Sequence, residues 1–131
     1  MASGDQIPKP FQTMNIKNAL AGISIKEIDS AVVWYRALVG RPPDIRPMEG
    51  VAGWQFPGGG WIEIFEDEAR AGSSTVIFAV ESLESQLDTI AELGIEVENK
   101  EIPSIGTVAL IHDPDGNMIV FAGPTTGVLD D

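Results

Sequence analysis

The chain has 131 residues, enough for one domain with a buried core, and its 44% hydrophobic and 21% charged residues are an ordinary balance for a soluble fold. Twenty acidic against eight basic residues give a net charge of −12, a field that repels phosphate backbones and argues against a nucleic-acid partner. Cysteine is absent, which excludes disulfides, thiolate metal sites and cysteine nucleophiles and fits a cytoplasmic protein.

Met1 to Thr13 is polar and Pro-interrupted and lacks the hydrophobic stretch of a secretory signal. It reads as a disordered or expression-derived leader, with Met14 as an alternative start. No apolar run reaches the roughly 18 residues that a membrane span needs, so no membrane partner is expected. A strand is predicted over 17–25. A helix follows over 28–39, where Ile28, Ala31, Val32, Tyr35 and Leu38 keep the helical period until Gly40 and the Pro42-Pro43 pair stop it. Strands are predicted at 44–48, 51–56 and 61–65. The Ala/Gly/Ser-rich segment 67–74 then links to a strand at 75–80. Ser82 is the expected N-cap of a second helix, which carries Leu83, Leu87, Ile90 and Leu93 on one stripe and ends at Gly94. Strands follow at 95–101, 107–112 and 118–122. Between the last two, Asp113-Pro114-Asp115-Gly116 has the composition of a type I turn. Residues 125–131 form an acidic tail.

This order repeats. Ile25-Lys26-Glu27-Ile28-Asp29-Ser30 matches Val80-Glu81-Ser82-Leu83-Glu84-Ser85 at an offset of 55. Pro57-Gly58-Gly59-Gly60-Trp61-Ile62 matches Pro114-Asp115-Gly116-Asn117-Met118-Ile119 at an offset of 57. The expected fold is α+β: two βαβββ modules, about 14–66 and 74–124, forming one domain whose curved mixed sheet lines a cleft.

Side chains alternate along a strand, so the faces follow from the register. With Phe56 opposite Trp61 and Trp54 opposite Glu63, those four residues share the cleft face with Phe65. Gln55, Ile62 and Ile64 then take the other face. Glu63 is a carboxylate among aromatic rings, suited to act as a general acid or base or to pair with a ligand cation. It serves equally well as a solvated carboxylate at the cleft edge. The single histidine, His112, corresponds to Gln55 and is expected on the side away from the cleft. Trp34 and Tyr35 are expected in the core. The acidic run Glu63, Glu66, Asp67 and Glu68 reads as a strand end and a solvated linker. Gly58 to Gly60 leads into a strand, so it reads as a hairpin turn and not as a phosphate cradle.

The segment from Ile25 through Trp34-Tyr35 to Leu38-Val39-Gly40 resembles the strand-to-helix signature of the vicinal-oxygen-chelate superfamily, which includes glyoxalases and bleomycin-resistance proteins. Asp113-Pro114-Asp115-Gly116-Asn117 is similar to that superfamily's final hairpin, and the match runs from about Met14 to Pro124. The resemblance implies four metal positions, which fall on Leu20, Glu63, Thr75 and Val120. Only Glu63 is a good ligand, so no metal and no other cofactor is expected. The resemblance also implies a homodimer, and its metal-free members are acidic dimers that sequester a drug in an aromatic-lined cleft.

The leading expectation is therefore a metal-independent protein that binds a hydrophobic or cationic small molecule such as an antibiotic or metabolite. Its candidate ligand-binding residues are Trp54, Phe56, Trp61, Glu63, Phe65, Leu20, Thr75, Ile111, Met118 and Val120. The alternatives are a metal-independent isomerase, lyase or cyclase with Glu63 as acid or base, a metal-dependent lyase or dioxygenase whose ligands lie elsewhere, and a structural or regulatory interaction module.

Overall fold

The structure, a computed structural model, describes residues 15–103 and 106–124. The expected leader and acidic tail lie outside the described residues. The first module runs β1 (Leu20–Ile25), α1 (Ile28–Val39), β2 (Val51–Gln55) and β3 (Trp61–Glu66). One 3-10 turn at Glu68–Arg70 precedes the second module: β4 (Thr75–Ala79), α2 (Leu83–Glu92), β5 (Glu98–Ile102), β6 (Gly106–His112) and β7 (Met118–Ala122). Each module forms a mixed sheet, ordered β1-β3-β2 in the first and β4-β7-β6-β5 in the second. The α+β class and the paired modules follow the sequence expectation.

The helix boundaries have local causes. Glu27 caps α1 by accepting a hydrogen bond from the Ser30 N–H (3.0 Å), and Glu66 reaches across from β3 to accept from the Ile28 N–H (2.8 Å). Two carboxylates thus meet the positive end of the helix dipole. Glu66 is in this sense more than the solvated strand end expected of it. Gly40 closes α1 in the left-handed region (φ 94°), donating to the Arg36 carbonyl. Ser82 caps α2 as expected, accepting from Ser85 N–H at 3.1 Å.

The strand predicted at 44–48 is reduced to a single bridge between Ile45 and Gly53. The next hydrogen-bonded position on that ladder falls on Pro47, which has no N–H to give. Arg41 and Asp44 pin the segment instead, the Arg41 guanidinium lying 2.7 Å from both Asp44 carboxylate oxygens while Asp44 accepts from Gln55 N–H. That guanidinium holds the Asp44 carboxyl below its usual range. The fifth strand begins at Glu98, later than position 95, because the Ile95 N–H is already committed to the Ile90 carbonyl behind α2.

The register differs by one residue from the expected one. Trp54 faces Ile62, Gln55 faces Trp61 and Gly53 faces Glu63. Gly59 donates to the Phe56 carbonyl and Phe56 to the Gly60 carbonyl, and Gly59 sits at φ 99°. The turn therefore closes over three residues with a glycine in the left-handed position, whereas pairing Phe56 with Trp61 requires a four-residue loop. A one-residue slip moves a whole strand to the opposite face. The second hairpin uses the same device, with Gly116 at φ 102°, Gly116 donating to the Asp113 carbonyl and Asp113 to the Asn117 carbonyl. Ile111 accordingly pairs with Ile119 and His112 with Met118.

One core spans both modules on the helix side of the sheets. Ile23, Ile25, Tyr35, Trp54, Ile62 and Ile64 from the first module join Val76, Ile90, Ile111, Ile119 and Phe121 from the second. The modules are also clasped by polar groups. Asp113, almost fully buried, accepts from the Tyr35 hydroxyl (2.7 Å), Asn117 Nδ2 (2.8 Å) and the N–H groups of Asp115 (3.0 Å) and Asn117 (2.8 Å). Asn117 also donates to the Ser24 carbonyl of β1 and accepts from the N–H groups of Gly72 and Ser74 in the linker. All four of its side-chain hydrogen-bonding positions are thereby used.

The linker fits this clasp only through Gly72, at φ +95°, where a β-carbon would collide with the Asp115 carbonyl oxygen. Gly72→Ala is expected to lose about 1–3 kcal/mol from backbone strain and displaced carbonyl packing. Urea denaturation against wild type would register this as a lower midpoint at an unchanged slope.

Candidate functional site

The observed register divides the expected site residues between two faces. Trp61, Glu63 and Phe65 project from β3 to the sheet face opposite the helices, roughly 7 Å apart along the strand. Leu20 and Gly22 of β1 lie beside them, paired with Trp61 and Glu63. Gly22 leaves room for the Phe65 ring, whose edge would lie 3.0 Å from a β-carbon at that position. On the second sheet the equivalent face carries Met118 and Val120 of β7, Thr75 and Ile77 of β4, and Leu110 and His112 of β6. Val108, Leu110, Val120 and Ala122 form a small apolar cluster there, with Met118 and Ile102 packed against it.

Four expectations about faces are corrected. Trp54 is 0% exposed and packs in the core against Tyr35, with its indole N–H donating to the Arg41 carbonyl at 2.9 Å. Ile111 is 1% exposed and belongs to the same core. Phe56 lies beyond β2 and packs edge-on against Phe78, with ring centroids 5.4 Å apart and away from the Trp61 face. His112, expected on the far side, shares the outer face with Met118 and is exposed. All four follow from the single turn-length difference.

Leu20 at 55% and Ile77 at 51% remain exposed on these outer faces, although both sit on sheet positions with apolar neighbours. Glu63 is half-buried, and its carboxylate takes no hydrogen bond or ion pair from the described residues. The four positions that family resemblance assigns to a metal, Leu20, Glu63, Thr75 and Val120, all lie on the outer faces. Glu63 alone among them offers an ionisable donor, so the set does not fit a divalent ion. Among the described residues no group of three or more His, Asp or Glu side chains stands close enough to hold a metal. No helix among them is long and apolar enough to cross a membrane.

Residues that sequence reasoning left out include Ile77, which register alone exposes, and Phe78, Leu38 and Gln86. The last three line a cavity on the helix side. The chain order shows Phe78 and Leu38 as core residues, and nothing in the spacing signals that they border a space.

Comparison with known proteins bears on this arrangement. A glyoxalase/bleomycin resistance protein from Catenulispora acidiphila is 31% identical, with a TM-score of 0.73 over 82% of this chain and 98% of its own. A bleomycin resistance determinant encoded on the transposon Tn5 superposes with a TM-score of 0.68 at 19% identity, over 82% of this chain and 98% of that one. A bleomycin-binding protein from Streptomyces verticillus, complexed with copper(II)-bleomycin, gives 0.67 at 16% identity, over 82% and 96%. No family model matches the sequence, and no curated protein does. The fold and the first of these relatives define the class: the chain belongs to the glyoxalase/bleomycin resistance protein family of the vicinal-oxygen-chelate superfamily.

Proposed function

We propose that the protein is a metal-independent small-molecule binder that takes a hydrophobic or cationic ligand against the outer face of its first sheet, in a cleft completed by a second copy of the chain. The observation that carries this reading is the stripe Trp61, Glu63 and Phe65, two aromatic rings flanking a half-buried carboxylate with no partner among the described residues. Aromatic faces and a carboxylate together suit a cation with an apolar body. The net charge of −12 draws such a ligand in. The exposed Leu20 and Ile77 support burial of the outer faces in a homodimer. Two similar structures are bleomycin-binding proteins holding that drug, which supports sequestration of an antibiotic or a related metabolite in the cytoplasm.

Titration calorimetry with bleomycin and a panel of cationic and apolar antibiotics should find one ligand with saturable heat. Sedimentation should give twice the chain mass. Glu63→Gln should weaken a cationic ligand by about tenfold to a hundredfold, the worth of a charged hydrogen bond, and leave an uncharged one unaffected. Absence of heat across the panel would remove the binding reading.

Retained binding with turnover lost in Glu63→Gln would instead make the protein a metal-independent enzyme, with Glu63 as its acid or base.

A further inference from the structure

A second space lies on the other side of the sheets. Between the end of α1 and the first turn of α2 lies a partly open cavity of about 200 Å³, bordered by Leu38, Val39, Phe56, Phe78, Phe121 and Gln86. Three of its walls are phenylalanine rings in sequence. Phe56 meets Phe78 edge-on at 5.4 Å, and Phe78 stacks on Phe121 at 5.7 Å with 25° between the planes. Phe78 and Phe121 come from β4 and β7 and Phe56 from the turn that follows β2, so both modules contribute, and all three pack in or against the core that holds the sheets together.

We propose that this cavity is a separate small-molecule site for a planar, neutral or cationic aromatic of about two fused rings bearing one N–H donor. Size comes first. An apolar cavity of about 150 Å³ accepts a single benzene ring. The extra volume here admits a second fused ring at the packing density of protein interiors, and a drug-sized ligand needs about 300 Å³ or more.

Polarity comes next. Gln86 is half-buried at the cavity, and its side-chain amide makes no hydrogen bond within the described residues. It can accept one bond and donate others, so it provides a polar anchor at one edge of a mostly apolar pocket.

Charge sets the last condition. The carbonyls at the C-terminal end of α1 adjoin the cavity through Leu38 and Val39, and they carry the negative end of the helix dipole. Together with the net charge of −12 they disfavour an anionic ligand. Trp61 and Glu63 project to the opposite face, so this site does not depend on the outer-face reading.

Indole is the probe, with indene as its counterpart lacking the N–H. Titrated into the full chain and followed by NMR, indole should shift the methyl resonances of Leu38, Val39 and Val80 and the Gln86 side-chain amide saturably, with a Kd below 1 mM expected on the order of its size. Gln86→Ala should weaken indole by about tenfold and leave indene within about twofold. Val39→Phe, which fills the cavity, should abolish binding of both, and Trp61→Ala should change neither. Shifts that fail to saturate, that centre on Trp61, or that weaken equally for both probes in Gln86→Ala would overturn the proposal. Binding that appears only after removal of residues 125–131 would also overturn it, by assigning the cavity to the chain's own C-terminus.

Discussion

Asp113→Ala is expected to lower the free energy of unfolding by about 3–5 kcal/mol, a large share of what a domain of this size possesses. The substitution removes the acceptor of four hydrogen bonds at once. It leaves the Tyr35 hydroxyl and one Asn117 N–H buried without a partner, each at a cost of about 1–3 kcal/mol. Tyr35→Phe removes only one donor and leaves Asp113 three others, so it should cost about 1.5–3 kcal/mol. Urea denaturation followed by far-UV circular dichroism separates the two, and equal losses for both variants would mean that the carboxylate holds nothing beyond the tyrosine.

The same pair gives a pH dependence with a definite sign. Burial, and after it the Asp113 charge, pushes the Tyr35 phenol well above its ordinary value of 10.0. A raised folded-state value favours the protonated phenol in the native state. The resulting stability is complete below the unfolded value and falls as pH rises beyond it. Wild type should therefore lose about 1.4 kcal/mol per pH unit above pH 10 through this group. Tyr35→Phe should lack that component, and the gap between the two proteins should close as pH increases. A constant gap between pH 9 and pH 11 would contradict the assignment.

Much of this fold is legible in the order of the residues. The two repeat offsets reappear as equal pairings in the two sheets: Leu20 opposes Trp61 as Thr75 opposes Met118, and Trp54 opposes Ile62 as Ile111 opposes Ile119. Helix ends were readable because Gly40, Ser82 and Gly94 act through their own backbones and side chains. The faces were not readable with the same certainty, because they hinge on whether a turn closes over three residues or four. Pro57-Gly58-Gly59-Gly60 permits either, and the choice moved Trp54 and Ile111 into the core and brought His112 out. Contacts between distant segments were also hidden. Nothing local to Glu66 or Asn117 announces that one caps α1 and the other ties β1 to the linker. The strand at 44–48 failed for a reason that was in view, since Pro47 cannot extend a ladder.

The two tryptophans of the first hairpin put that register to a direct test. Trp54→Ala should cost about 3–5 kcal/mol, because it empties a fully packed position and frees the Arg41 carbonyl from its indole donor. Trp61→Ala, on a half-buried outer position, should cost about 1 kcal/mol or less. Ligand affinity should divide the other way. An aromatic anchor at the centre of a binding surface is worth 2 kcal/mol or more, so Trp61→Ala should weaken the ligand found by calorimetry by roughly thirtyfold or more. The conservative variant Trp54→Phe keeps most of the core volume and should retain full affinity. The contrast arises because residues seven apart in the chain stand on opposite faces of one sheet once a three-residue turn lies between them. If Trp61→Ala destabilised the fold and Trp54→Phe abolished binding, the strand would have to be turned over, and Glu63 would pass from the outer face into the core with it.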